Sequence, residues 1–223
     1  MERPGNEYHL SLPLKKMVKK LLWMLLVALS VVVGLYPGLF FLGEKKVGIL
    51  KIKAGELFLN PFWYGSFYVH IIFGGLALLI GWIQFSPSIR RKNITLHRRI
   101  GRLYVIAVLL SALTGFNIAF YATGGLPVAL GFISLSLIWF YTTLMAYFRI
   151  RSGQVVPHKN MMIYSYACCF AAVTLRAWMP LLIVLSGSFE TAYTVVAWWC
   201  WIPNLTIAYF LTQKSALATP EQG

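Results

Sequence analysis

Aspartate is absent from this 223-residue chain, and its six acidic residues are all glutamate. That removes aspartate-based proton relays, phosphoryl transfer and many metal sites. No GxSxG, HExxH or P-loop segment occurs, so the chain carries no hydrolase or transferase signature. Cysteine is scarce too: Cys168, Cys169 and Cys200 all fall inside apolar stretches, with no CxxC, CxxCH or zinc spacing. A disulfide framework is thereby excluded, and the thiols read as small apolar fillers. Charged residues make up only 12% of the sequence against 59% hydrophobic, far from a soluble balance. Long linkers and low-complexity tracts are missing as well, which predicts a single domain.

What fills the chain is six apolar stretches, approximately Leu21–Gly43, Gly65–Ser86, Gly101–Tyr121, Pro127–Phe148, Met161–Ser186 and Tyr193–Thr212. A hydrocarbon core of roughly 30 Å needs about 20 helical residues. In lipid each segment must satisfy its own backbone hydrogen bonds, so the expected fold is all-α, a polytopic bundle of six transmembrane helices. The first stretch follows Lys15, Lys16, Lys19 and Lys20 but is longer than the apolar part of a cleaved signal, and reads as an uncleaved anchor. The expected layout is a basic segment over 1–20, a transmembrane domain over 21–212 with its core at 64–210, and a tail over 213–223.

The net charge of +14 would suggest nucleic acid in a soluble domain. Here the basic residues lie between spans, where lipid headgroups are the expected partner and nucleic acid is not. With both termini cytoplasmic, fifteen Lys and Arg lie in inner segments and four in outer ones, so a multi-pass protein of the cytoplasmic membrane is expected. The first outer loop, with its KVGILKIKAGELFLN portion, could form a hairpin or lie on the surface. Aromatic residues near span ends, among them Trp63, Trp178, Trp198, Trp199 and Trp201, read mostly as interfacial belts. Gly74, Gly75, Gly81, Gly101 and Gly115 suit close helix packing. Pro127 suits a helix start and Pro203 a kink.

Ionisable residues inside a membrane cost about 2.5–3.5 kcal/mol each on insertion scales and default to functional candidates. Two layers of them emerge. The inner layer holds His97, in Leu96-His97-Arg98-Arg99-Ile100-Gly101-Arg102, and His158, in Pro157-His158-Lys159-Asn160. Imidazole is the usual axial ligand where a b-type haem bridges two helices, and Arg98, Arg102 and Lys159 suit its propionates. The blander reading is that these histidines meet phosphate headgroups. The outer layer holds His70 and Arg176, with Asn117 and Tyr121 at a similar level. Arg176 lies 18 residues after His158, roughly 27 Å further across. It calls for an anion, a carbonyl or a water-filled pocket, and Glu190 is the nearest acid in the sequence. Snorkelling to the outer headgroups is the alternative. Gln84 and Asn204 read as interhelical hydrogen-bonding residues.

At these residues the chain resembles the bacterial predicted membrane proteins of domain of unknown function 2306. The resemblance runs through His70 with Gly74, Gly81-x-x-Gln84-Phe85, His97-Arg98-x-x-Gly101-Arg102-x-Tyr104 and Trp139. It continues through Arg149-x-Arg151-x-Gly153, His158-Lys159-x-Met161-Met162, Arg176 and Trp198-x-x-Trp201-x-x-Asn204-Leu205, covering about residues 64–210. After His158 the family pattern reads H-R-x-W-M-x-R, whereas Lys159, Met161 and Tyr164 stand here, which weakens any site built on those basic residues. The resemblance implies a multi-span fold and little about activity. Leu96-His97 followed by Gly101 is also similar to haem-ligating segments of b561-type cytochromes, which use two histidine pairs where this chain offers one aligned pair and His70.

The leading expectation is a b-type haem on His97 and His158, exchanging electrons with a quinone-like molecule near His70 and Arg176. The alternative is a protein without redox chemistry that binds or transports an anionic lipid or small metabolite at His70 and Arg176. A third is a helper subunit packed against a larger membrane complex.

Overall fold

In a computed structural model the chain is described over residues 12–39 and 60–217. The expected hairpin of the first outer loop lies outside the described residues. Among them there are no strands, and six helical stretches are long and apolar enough to cross a bilayer: Pro13–Gly38, Pro61–Phe85, Ile94–Ala119, Gly125–Arg151, Val155–Ser186 and Phe189–Gln213. This is the all-helical, six-span fold expected. Each span is longer than its apolar stretch, because helix continues into the flanking basic segments. Thus α1 (Leu12–Leu35) already contains the four lysines, α4 (Ile94–Ala119) contains His97, and α6 (Val155–Cys169) contains His158.

Spans two and four are formed by α2 (Pro61–Gly81), extended by a 3-10 turn over Trp82–Phe85, and by α5 (Gly125–Arg151). A short helix, α3 (Pro87–Lys92), turns the chain between spans two and three, with the Ser86 hydroxyl and the Asn93 side chain accepting backbone N–H groups at successive helix starts. The core lies between α2, α4, α5 and α6, where Leu78, Tyr104, Val108, Trp139, Met162 and Tyr166 pack together. Small residues set the helix spacing. A Cβ on Gly75 would stand 2.7 Å from the Gly34 carbonyl oxygen, so α1 and α2 touch backbone to backbone there. A Cβ on Gly81 would strike the rings of Tyr166 at 2.5 Å and Tyr104 at 2.8 Å. Those two tyrosines fill the space the glycine leaves. The Tyr104 hydroxyl bonds the Ser165 hydroxyl at 2.9 Å, which bonds Thr143 at 2.6 Å, tying spans three, four and five. Tyr166 donates to Ser30 of α1 at 2.8 Å, since the Ser30 proton is spent on the Leu26 carbonyl.

Spans five and six are both interrupted part-way across, and the interruptions face each other. Span five is α6 followed by α7 (Ala171–Ser186), broken at Phe170; span six is α8 (Phe189–Trp199) followed by α9 (Ile202–Leu217), broken at Cys200–Trp201. The second break has the expected cause in Pro203, which has no N–H to give the preceding turn. The first has no proline. Side chains enter the hydrogen-bond ladder instead. The Asn204 amide donates to the Ala167 carbonyl at 3.2 Å and the Cys200 carbonyl at 3.0 Å, while the Thr174 hydroxyl donates to Cys200. Trp201 shifts its own N–H to Trp198 and covers the Ala197 carbonyl with its indole N–H at 2.9 Å. The Trp198 indole reaches across to Pro127 at 3.1 Å.

These tryptophans therefore correct the interfacial reading. Trp201 lies 12 residues into span six, about 18 Å from its outer end, and is 7% exposed. Trp63 at the outer end of span two is buried in a cluster with Phe67. The three cysteines are free and buried, as expected of fillers.

Two substitutions test this packing. Gly81→Ala should cost about 1–3 kcal/mol through overpacking against Tyr104 and Tyr166, whereas Gly38→Ala, which meets nothing within 4 Å, should be neutral. Asn204→Leu should cost about 1–3 kcal/mol for the Ala167 carbonyl it leaves unpaired, since Thr174 still meets that of Cys200. Reversible unfolding in mixed micelles measures both.

Candidate functional site

Depth along the helices places the polar residues. His70 is nine residues from the outer end of span two, Ser111 eight from that of span three, Ser136 eleven from that of span four and Arg176 ten from that of span five. At about 1.5 Å per residue all four lie roughly 12–16 Å below the outer ends. This is a layer well inside the membrane, deeper than the span-end position expected for His70.

Its centre is the contact between His70 and Ser111. The His70 Nδ1 lies 2.9 Å from the Ser111 carbonyl oxygen, and the Ser111 hydroxyl donates to the His70 carbonyl at 2.9 Å. A carbonyl only accepts, so Nδ1 carries the proton. In the neutral ring Nε2 is then left with its lone pair. Gly115, one turn outward of Ser111, makes this possible: a Cβ there would stand 2.8 Å from His70 Nδ1 and 3.2 Å from the Ser136 hydroxyl. Three spans thus converge on one imidazole. One turn further out Asn117 donates to Ser66 at 3.0 Å and pins spans two and three together. Tyr121 lies beyond the end of α4 and is 40% exposed.

Arg176 completes the layer from span five. Its guanidinium is near enough to act electrostatically on His70. One N–H donates to the Ala172 carbonyl at 2.7 Å, and the group stacks over the Tyr36 ring at 4.5 Å. Ala172 precedes Arg176 by one turn on a helix running outward, so the side chain points toward the bilayer centre. That is the reverse of snorkelling to the outer headgroups. Its partners among the described residues are a carbonyl and a ring rather than Glu190, which sits in the first turn of α8.

The inner layer is also assembled. Tyr104 and Ser165 touch, and His97 and His158 each lie seven residues, nearly two full turns, inward of them. The two imidazoles accordingly share a face and lie within electrostatic range of each other. His158 Nδ1 donates to the Ala146 carbonyl of α5 at 2.8 Å, leaving Nε2 with the lone pair. His97 Nδ1 is buried without a hydrogen-bond partner. Arg98, Arg102 and Lys159 are exposed around this end. Gln84 differs from expectation: its Nε2 is buried and unpartnered, and its Oε1 lies over Gly101 instead of bonding a neighbouring helix.

Residues 67–212, about two thirds of the chain, match the family described as Predicted membrane protein (DUF2306). The chain belongs to that family. The matched segment includes His70, His97, His158 and Arg176 and starts after span one. No curated protein and no solved structure matches the chain.

Ser111, Ser136 and Tyr36 join the outer layer without having been singled out by sequence. The available signal lay in Gly74 and Gly115, whose bare backbones make room for the Ser111 hydroxyl and the His70 ring. Gly115→Ala should push the ring off the Ser111 carbonyl. Nitrogen-15 NMR of histidine-labelled protein should show a His70 proton fixed on Nδ1 in the wild type and lost in the variant. A wild-type ring protonated on Nε2 alone would contradict the geometry.

Proposed function

We propose that this integral membrane protein binds an anionic amphiphile, a lipid or small lipophilic metabolite, within the outer half of the cytoplasmic membrane between spans two and five. The observation carrying this reading is the guanidinium of Arg176, turned back along its helix onto the Ala172 carbonyl and within electrostatic range of His70. A cation at this depth is costly. A single carbonyl and a cation–π contact of roughly 0.5–2 kcal/mol offset part of that. Of the five N–H donors of an arginine, one is engaged among the described residues. An oxyanion supplies what the others need, in a geometry that favours a planar carboxylate or a phosphate. His70 contributes the complementary function: its Nε2 accepts from a ligand hydroxyl, and Ser111 holds it in that tautomer. Ser136 adds a further hydroxyl nearby.

The test is native mass spectrometry after mild extraction. An anionic species should accompany the wild type and be lost, or bound at least about tenfold more weakly, in Arg176→Gln, as expected for a charge-assisted hydrogen bond. Equal retention by both proteins would sink the reading.

The second reading is the b-type haem on His97 and His158, exchanging electrons with a quinone-like partner. It is favoured by the bond from His158 Nδ1 to Ala146, which orients the ring as ligating imidazoles are usually held. His97 fits less completely, because its Nδ1 has no such partner. Arg98, Arg102 and Lys159 would receive the propionates. A bound haem would supply one-electron transfer. A reduced-minus-oxidised spectrum decides it: an α-band that disappears in His97→Ala and His158→Ala is expected of a cytochrome, and a colourless protein that ignores added haemin ends the reading.

A further inference from the structure

The break at Phe170 changes what span five packs against on its way outward. Its inner half, α6, lies on α5 and the core, while α7 leans mainly on α8 of span six. Leu175, Trp178, Met179 and Leu182 make that second contact. The buried residues of α7 are Ala171 and Val173, both next to the break; beyond Val173 none is buried, and Val184 is 80% exposed. Contact between α7 and span one is slight, and with span two it is slighter still. The outer half of span five thus leaves its flank toward span one open to the bilayer.

Arg176 lies on that flank. It is turned about 100° around the helix from Leu175, off the face that meets span six. It is exposed, yet it stands roughly 12–16 Å below the outer ends of the spans, where exposed surface meets hydrocarbon instead of water. Tyr36 of span one lies over the guanidinium, 4.5 Å from it to the ring centroid. Close packing holds that end of span one in place: a Cβ on Gly75 would stand 2.7 Å from the Gly34 carbonyl oxygen and 2.9 Å from Pro37. Along α7 no polar path leads in from the outer surface, because residues 177–185 carry no charge, hydroxyl or amide side chain. One turn outward of His70, Ser66 and Asn117 are bonded to each other at 3.0 Å. A hydrated anion therefore meets an apolar barrier, whereas one dissolved in lipid approaches from the side.

We propose that the ligand of Arg176 enters sideways from the outer leaflet between spans one and five, and that its apolar chain stays in that opening. The inference rests on the reading of Arg176 as an anion site and adds the route and the ligand class. That class is a long-chain carboxylate. Its planar head matches the guanidinium fork, and its small carboxyl sinks to a depth that the headgroup of a phospholipid, held at the membrane surface, does not reach. Tyr36 is the gate residue. It lies across the guanidinium on the side from which the chain comes, so exchange requires the ring to move and its cation–π contact to break.

The experiment places full-length protein in nanodiscs with a long-chain fatty acid bearing a mid-chain diazirine, then illuminates and maps the labelled peptides. Label is expected on span one at residues 32–36 and on α7 at residues 180–184. It should fall at least about tenfold in Arg176→Gln, the cost of a charge-assisted hydrogen bond. Oleate should compete; acetate, the same carboxylate without the chain, should not. Release of the bound fatty acid into empty vesicles should quicken about two- to thirtyfold in Tyr36→Ala, the weight of a cation–π contact, and keep the wild-type rate in Tyr36→Phe. The two readings fail differently. No label on the wild type, or label indifferent to Arg176→Gln, sinks the anion site and the route with it. Label that needs Arg176 but yields to acetate, or that falls on spans two to four alone, leaves the anion site standing and overturns the lateral route. An unchanged release rate in Tyr36→Ala overturns the gate.

Discussion

In hydrocarbon no backbone group can turn to water, and that single demand organises the molecule. It makes the spans helical, and it forces compensation wherever the helix fails. Spans five and six fail at facing positions, and the freed carbonyls of Ala167, Cys200 and Ala197 are met by Asn204, Thr174 and Trp201. The paired breaks are therefore a cross-linked unit. They also lie just inward of Arg176, whose own guanidinium covers the Ala172 carbonyl in the turn after the first break. Interrupted helices near the bilayer middle are a common means of bringing polar groups to a ligand in membrane proteins.

The polar layer beside that unit obeys the same demand. His70 and Ser111 satisfy each other through two reciprocal bonds, so a basic side chain enters the core of the bundle without leaving either helix short of a partner. What remains after this pairing is directional: one ring nitrogen that accepts, and one guanidinium that donates. The inner ends of the bundle show the opposite condition, with Gln84 Nε2 and His97 Nδ1 buried without hydrogen-bond partners among the described residues. The two ends thus differ in kind. The outer layer is internally held, while the inner one keeps buried polar atoms without hydrogen-bond partners among the described residues.

Much of this was legible in the sequence. Apolar length revealed the six spans, Pro203 the break in span six, and the isolation of His70 and Arg176 among apolar residues marked them out. Depth was not legible. Apolar length marks where polar residues begin, but helices continue past that point, which moved Trp198 and Trp201 from a span end to its interior. Side-chain direction was equally hidden: Arg176 is near enough to the outer surface to snorkel, and only the packing of Tyr36 and Ala172 turns it inward. Ser111 could not be told from other membrane serines, because helix rotation decides which serine faces a histidine. The break at Phe170 has no local signal, since its cause is Asn204 on another span.

The central claim is that Arg176 points into the membrane toward His70 and holds an anion there. A cryo-electron microscopy structure of the protein in lipid nanodiscs measures this most directly. The account predicts the guanidinium beside Ala172 and Tyr36, with non-protein density between it and His70. A guanidinium extended to the outer headgroups, with no density beside His70, would contradict it.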